Sequence, residues 1–146
     1  MASVHKEISL PTSPEAVWDV VRDVGAVHTR FAPGFVVATV MEGDGARIVT
    51  FANGLMAREV IVDVDDQSWR LAYSVRSERL THHNASFQVF PDEAGSRLVW
   101  IADMLPHDAA VTVGGMMTDG LEAIRKALSL VSTASPSPRS GALMDG

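Results

Sequence analysis

The chain has 146 residues, 47% of them apolar, which is one domain's worth of sequence with material for one sizeable core. Twelve basic residues stand against 18 acidic ones for a formal charge of −6, a balance that argues against a phosphate backbone, so no nucleic-acid partner is expected. The absence of cysteine removes thiol catalysis, disulfides and thiolate metal sites.

The opening "MASVHKEISLPTSPEAV" lacks the basic start and apolar run of a signal peptide. Nowhere does an apolar run approach the ~18 residues of a membrane span, so a cytoplasmic protein with no membrane span is expected. Val4, Ile8 and Leu10 alternate with polar residues and predict a first strand closed by Pro11. Thr12 or Ser13 then caps a helix from about 14 to 22, with Pro14 at its first position, Glu15 at its positive end and Val17, Trp18, Val21 and Val24 at helical spacing. A second short helix is expected in "VGAVHTRF", ending before Pro33-Gly34.

From residue 35 the period becomes extended. "FVVATVME", "ARIVTFA", "MAREVIVDVD", "WRLAYSV", "NASFQVFP" and "RLVWIADML" read as six strands in meander order, separated by turns such as Asp44-Gly45. A long helix follows from about 108 to 132, its stripe Val113, Met117, Leu121, Ile124, Leu128, Val131 laid on the sheet. Residues 133–146, rich in Ser, Pro and Gly, read as a flexible tail outside a single domain of residues 1–132.

One feature of that helix is costly. Gly114, Gly115 and Gly120 lie in its first half, where each costs roughly 1 kcal/mol relative to alanine. Beside them, Met116 and Met117 are unbranched and polarizable, suited to an adaptable apolar wall. Two explanations stand open: a border to unfilled space, or relief of crowding against the strands with the methionines filling core.

The order of strand, two short helices, six meandering strands and a long helix, with "SPEAVWDVVRDVGAVHTRF", "WRLAYSV" and "RLVWIADMLP" in their places, resembles the START/Bet v 1-like (SRPBCC) superfamily of bacterial polyketide cyclase/dehydrase and lipid-transport-like proteins. The resemblance covers about residues 4 to 132. It implies an α+β helix-grip fold, a seven-stranded curved antiparallel sheet wrapped around the C-terminal helix, with a cavity between them. It also implies a small hydrophobic or amphipathic ligand of lipid, polyketide or aromatic type. Fold alone does not fix activity.

Alternation supplies the side chains for such a cavity, expected at a few hundred Å³. Leu71, Tyr73 and Val75 share one face, Ala85, Phe87 and Val89 another, and Leu98, Trp100, Ala102 and Met104 a third, with Asp103 outward. With Phe31, Phe51, Val113, Met116, Met117 and Gly120, the residues Tyr73, Phe87 and Trp100 form the candidate ligand-binding set. Tyr73 and Trp100 each offer a polar tip to orient a ligand, or serve as core aromatics with backbone partners. In "MAREVIVDVD", an inward Val60, Val62 and Val64 would put Arg58 at the rim, where it meets an anionic head group or an acidic neighbour.

His82 and His83 are adjacent, point to opposite sides of an extended segment, and do not make a metal site; no metal or other cofactor is expected. His83 beside the cavity mouth and Tyr73 are the candidate catalytic residues of a cyclase or dehydratase, His83 having a solvated loop position as its alternative. No P-loop, dinucleotide fingerprint or G-x-S-x-G is present. A binding protein is favoured over an enzyme because the readable inward faces hold almost no carboxylates or histidines. A partner-binding module, such as a homodimer, is the third reading.

Overall fold

In the computed structural model, which describes residues 2–77 and 80–130, strand alternation resolves into one continuous sheet. Its strands are β1 (Ala2–Leu10), β2 (Val36–Glu42), β3 (Ala46–Phe51), β4 (Met56–Asp65), β5 (Arg70–Arg76), β6 (His82–Asp92) and β7 (Gly95–Leu105). Two helices accompany them, α1 (Pro14–Val21) and α2 (Ala109–Ser129). The order β1-β7-β6-β5-β4-β3-β2 is antiparallel throughout, so β2 to β7 form the meander and β1 closes against β7. This is the helix-grip fold. The expected tail, residues 133–146, the 132/133 boundary and Val131 of the expected helix stripe lie outside the described residues.

Local chemistry accounts for the element ends. Ser13 caps α1 by accepting from the Ala16 N–H, and Pro14 takes the first helical position, where its missing N–H is harmless. Thr12 has a different task. It is fully buried and donates its hydroxyl to the Leu128 carbonyl at 2.5 Å, while the Thr12 carbonyl accepts from the Ser96 hydroxyl at 2.8 Å. The second short helix is a single π-type turn, Val27–Phe31, closed by the Ala32 N–H on the Val27 carbonyl. Pro33 stops it, because the residue before proline is pushed out of the helical region, and Ala32 sits at φ −132°, ψ 54°.

One strand boundary and one strand face differ from expectation. Trp69, expected to start β5, has φ 54° and ends the preceding turn, in which the Asp65 carboxylate accepts from the Gln67 and Ser68 N–H groups. In β4 the Val face is split. Ala57, Glu59 and Ile61 face the interior and Val62 is 63% exposed, while the register shift between Ile61 and Asp63 brings Val64 to the inner side opposite Leu71. Arg58 accordingly lies outside and pairs with Glu42 at 2.6 Å.

The interior faces of β5, β6 and β7 follow the expected alternation: Leu71, Tyr73, Ala85, Phe87, Val89, Leu98, Ala102 and Met104 are buried. On them lies α2, packed against β1, β7 and the π-type turn. Its C-terminal half buries Leu121, Ile124 and Leu128, whereas the first two turns contribute no buried residue before Met117.

Gly95 allows the end of this packing to close. At φ 143°, a Cβ there would stand 2.7 Å from the Leu10 carbonyl oxygen and 2.8 Å from that of Thr12, both of them backbone atoms that cannot yield. Gly95→Ala is expected to lower unfolding free energy by on the order of 3 kcal/mol in urea denaturation. Gly43→Ala, at positive φ in open space, serves as the control and loses roughly 1 kcal/mol.

Candidate functional site

Beneath the N-terminal half of α2 lies a part-enclosed cavity of about 1000 Å³. Five strands and the helix supply its wall: Phe51 from β3, Ala57 from β4, Val75 from β5, His83 from β6, Trp100 from β7, and Val113, Met116 and Met117 from α2. Exposed Leu55, Met56, Arg76, Pro106, Asp108 and Thr112 stand at its mouth. Its volume exceeds the few hundred Å³ expected from sequence, because α2 is seated only along its C-terminal half.

Of the candidate ligand-binding set, Phe51, Trp100, Val113, Met116 and Met117 line the cavity. Phe31, Tyr73, Phe87 and Gly120 do not; they stand behind its wall. The reason is aromatic packing. Phe87 takes Phe31 edge-on at 4.9 Å and stacks against Trp100 at 4.5 Å and Tyr73 at 6.1 Å, so the rings fill the concave sheet and leave Trp100 as the outermost member.

Tyr73 is sealed in by this stack. Its hydroxyl accepts from the Trp100 indole N–H at 3.0 Å. Burial, and then the charge of Glu59, push its ionisation far above the ordinary tyrosine value, against the smaller opposing effects of Arg47 and the Trp100 hydrogen bond. Tyr73 is therefore a neutral phenol whose polar tip holds Trp100 in place, with no path to a molecule in the cavity.

The helix glycines divide. A Cβ on Gly120 would lie 3.1 Å from both Phe35 Cε2 and Trp100 Cζ3, so this glycine lets the helix backbone close on the aromatic wall. Crowding does not explain the other two. Gly114 would meet Val4 at an ordinary 3.9 Å, and Gly115 faces open space.

The expectation of inward faces almost free of ionisable groups fails at one place. Arg47 and Glu59, opposite each other in the β3–β4 register, form a buried ion pair at 2.7 Å, their side chains 4% and 11% exposed. Arg47 also donates to the Val24 carbonyl at 3.1 Å and sits over the Tyr73 ring at 5.5 Å. The signal was available in the alternation: Arg47 shares a strand face with Val49 and Phe51, and Glu59 one with Ala57. The pair lies behind Tyr73 and outside the cavity lining, so its work is structural. Glu59→Ala is expected to cost about 3–5 kcal/mol in chemical denaturation, since it strands a buried guanidinium, and the double change Arg47→Met with Glu59→Leu to recover most of that loss.

His83 occupies the inward face of β6, paired in register with buried Met104, and its Nδ1 is buried without a hydrogen-bond partner. Burial first, and the neighbouring His82 second, lower its pKa below the ordinary 6.5, so it is a neutral imidazole at pH 7. A folded-state pKa below the unfolded one means stability is complete above about pH 6.5 and declines as the pH falls through the lower folded value. Thermal unfolding followed across that window is expected to show a smaller acid-side loss in His83→Gln than in the wild type.

Among the described residues no group of three or more His, Asp or Glu is placed to hold a metal ion, and no helix is long and apolar enough to cross a membrane. A helix-grip sheet with an apolar cavity under its last helix defines a Bet v 1-like protein of the SRPBCC class. The chain belongs to the polyketide cyclase/dehydrase and lipid transport family, whose model matches residues 1–129. No protein of curated function matches it.

Solved structures share the fold. XoxI from Bacillus cereus superposes with a TM-score of 0.77 at 21% identity, covering 88% of this chain and 96% of that one. An uncharacterised protein from Bacillus thuringiensis gives 0.76 at 20% identity, covering 87% and 98%. Norcoclaurine synthase from Thalictrum flavum gives 0.68 at 20% identity, covering 90% and 94%.

Proposed function

We propose that the protein binds a small hydrophobic or amphipathic molecule in the cavity beneath α2. The observation that carries this reading is the cavity itself: about 1000 Å³, walled by Phe51, Trp100, Val113, Met116 and Met117, with its exposed charged residues at the mouth. Membership of a family described by cyclisation, dehydration and lipid transport supports the same class of ligand.

A catalytic reading of the cyclase or dehydratase kind would rest on His83. A synthase among the structural neighbours is an example of this fold carrying catalysis. Tyr73 does not serve it, being sealed behind Trp100 with its hydroxyl engaged. Among the described residues no carboxylate makes a hydrogen bond to this imidazole, so the orienting partner that general-base sites ordinarily supply is lacking there, which favours binding over turnover.

Native mass spectrometry of the purified protein, followed by organic extraction, tests the reading. A co-purifying lipid, quinone or aromatic compound is expected. Val113→Trp, which fills the cavity from α2, is expected to lower ligand affinity by roughly tenfold or more while retaining a cooperative unfolding transition. An apo mass together with no thermal shift across a hydrophobic ligand panel would count against it.

A further inference from the structure

Helix propensity is distributed unevenly along α2. The run Val111-Thr112-Val113-Gly114-Gly115 sets three β-branched residues before two glycines, whereas Leu121-Glu122-Ala123-Ile124-Arg125-Lys126-Ala127-Leu128 is made almost entirely of strong helix formers. Glu122 and Arg125 add an ion pair one turn apart to that second half.

Tertiary contacts follow the same gradient. Leu121, Ile124 and Leu128 are buried at the anchored end, while no residue from Ala109 to Met116 is buried and Val111 is 85% exposed. The free end is also weakly closed. Among the described residues no side chain caps it: Asp108, at the N-cap, makes no such bond, and the first turn holds no acidic residue to meet the positive helix end. At the glycines, the Thr118 hydroxyl donates to the Gly114 carbonyl at 3.1 Å, a side-chain bond of the kind that loosens and bends helices.

Packing imposes none of this. A Cβ on Gly114 would meet Val4 at an ordinary 3.9 Å and one on Gly115 would stand in open space, so alanine fits at both positions. The weak segment carries Asp108, Ala109, Thr112 and Val113 of the cavity lining, which form the helix side of the mouth.

Granting that the cavity binds a hydrophobic or amphipathic molecule, we propose that residues 109–113 are a lid hinged at Gly114 and Gly115, and that the ligand enters and leaves when this end of α2 lifts while Leu121, Ile124 and Leu128 stay seated. Little buried area is lost in that motion, so it is a local opening far less costly than unfolding the domain. Free and liganded protein both rest with the lid closed. A substitution that favours the helix at the hinge therefore lowers the open population in both, slowing entry and exit together and leaving affinity as it was.

Gly115→Ala and the double variant Gly114→Ala with Gly115→Ala test the hinge without removing any lining side chain. The probe is N-phenyl-1-naphthylamine, an uncharged fluorophore, mixed by stopped flow at neutral pH with the wild type, these two variants and Val113→Trp. Alanine's advantage over glycine predicts entry and exit rates roughly fivefold lower in the single variant and roughly tenfold or more lower in the double one, with the ratio of the two rates unchanged. Hydrogen exchange of the free protein gives a readout independent of any ligand: the amides of residues 113–119 are expected to slow in the double variant by a similar factor, and those of residues 121–128 to stay as in the wild type.

Rates that remain at the wild-type value while those amides slow overturn the lid and leave the cavity reading standing, since the ligand then passes without the helix opening. Unaltered exchange at residues 113–119 overturns it as well. So does an exit rate that falls alone with affinity rising to match, which marks a changed wall. If the probe does not bind the wild type, or binds Val113→Trp as it binds the wild type, the cavity reading itself falls, and the lid with it.

Discussion

The structure depends on the way α2 is held at one end. Thr12 donates to the Leu128 carbonyl and accepts from Ser96 in a point of complete burial, which joins the β1–α1 junction, the β6–β7 hairpin and the last turns of the long helix. Gly95 makes the joint feasible, since any side chain there would strike the backbone of Leu10 to Thr12. From this anchor the helix crosses a sheet that twists beneath it, and a helix cannot follow a twisted surface along its whole length. Leu121, Ile124 and Leu128 are buried near the anchor; Val113 and Met116 are only half-buried at the far end. The cavity is the space left by that divergence.

What stops the chamber from collapsing is its back wall. The rings of Phe31, Phe87, Tyr73 and Trp100 interlock, the Tyr73 hydroxyl fixes the Trp100 indole, and the Arg47–Glu59 pair stands behind Tyr73 with a further bond to the Val24 carbonyl. A buried ion pair is a poor source of net stability compared with apolar packing, yet it is intolerant of losing either member. Here it ties β3, β4 and the segment after α1 into one unit. The wall is thus defined by directional bonds as well as by packing, which suits a surface that must keep its shape around empty space.

The front wall is of another kind. It is formed by the half of α2 that carries Gly114, Gly115, Met116 and Met117, residues of low helix propensity or of high side-chain adaptability. Gly120 has a steric reason, the close approach to Phe35 and Trp100; nothing in the packing around Gly114 and Gly115 requires a glycine. The half of the helix with the lowest intrinsic stability is the half that covers the cavity.

Period and turn chemistry were legible from the residues alone. Alternation from residue 36 onward, the Asp44-Gly45 turn, the Ser13-Pro14 helix start and the 3.6-residue stripe through Leu121, Ile124 and Leu128 are local properties, and each local choice agreed with the global fold. The inward faces of β5, β6 and β7 followed from the same two-residue period. Three things were decided only by tertiary structure. The bulge after Ile61 put Val62 and Val64 on opposite faces of the sheet, because a register shift is a property of two strands and not of one. The pairing of Arg47 with Glu59 needed the β3–β4 register before two charges on apolar faces became one buried bond. The division of the aromatic residues into cavity wall and filled core depended on where α2 comes to rest: alternation tells which side of the sheet a ring occupies, while the depth of packing above it is set by an element that arrives from the other end of the chain.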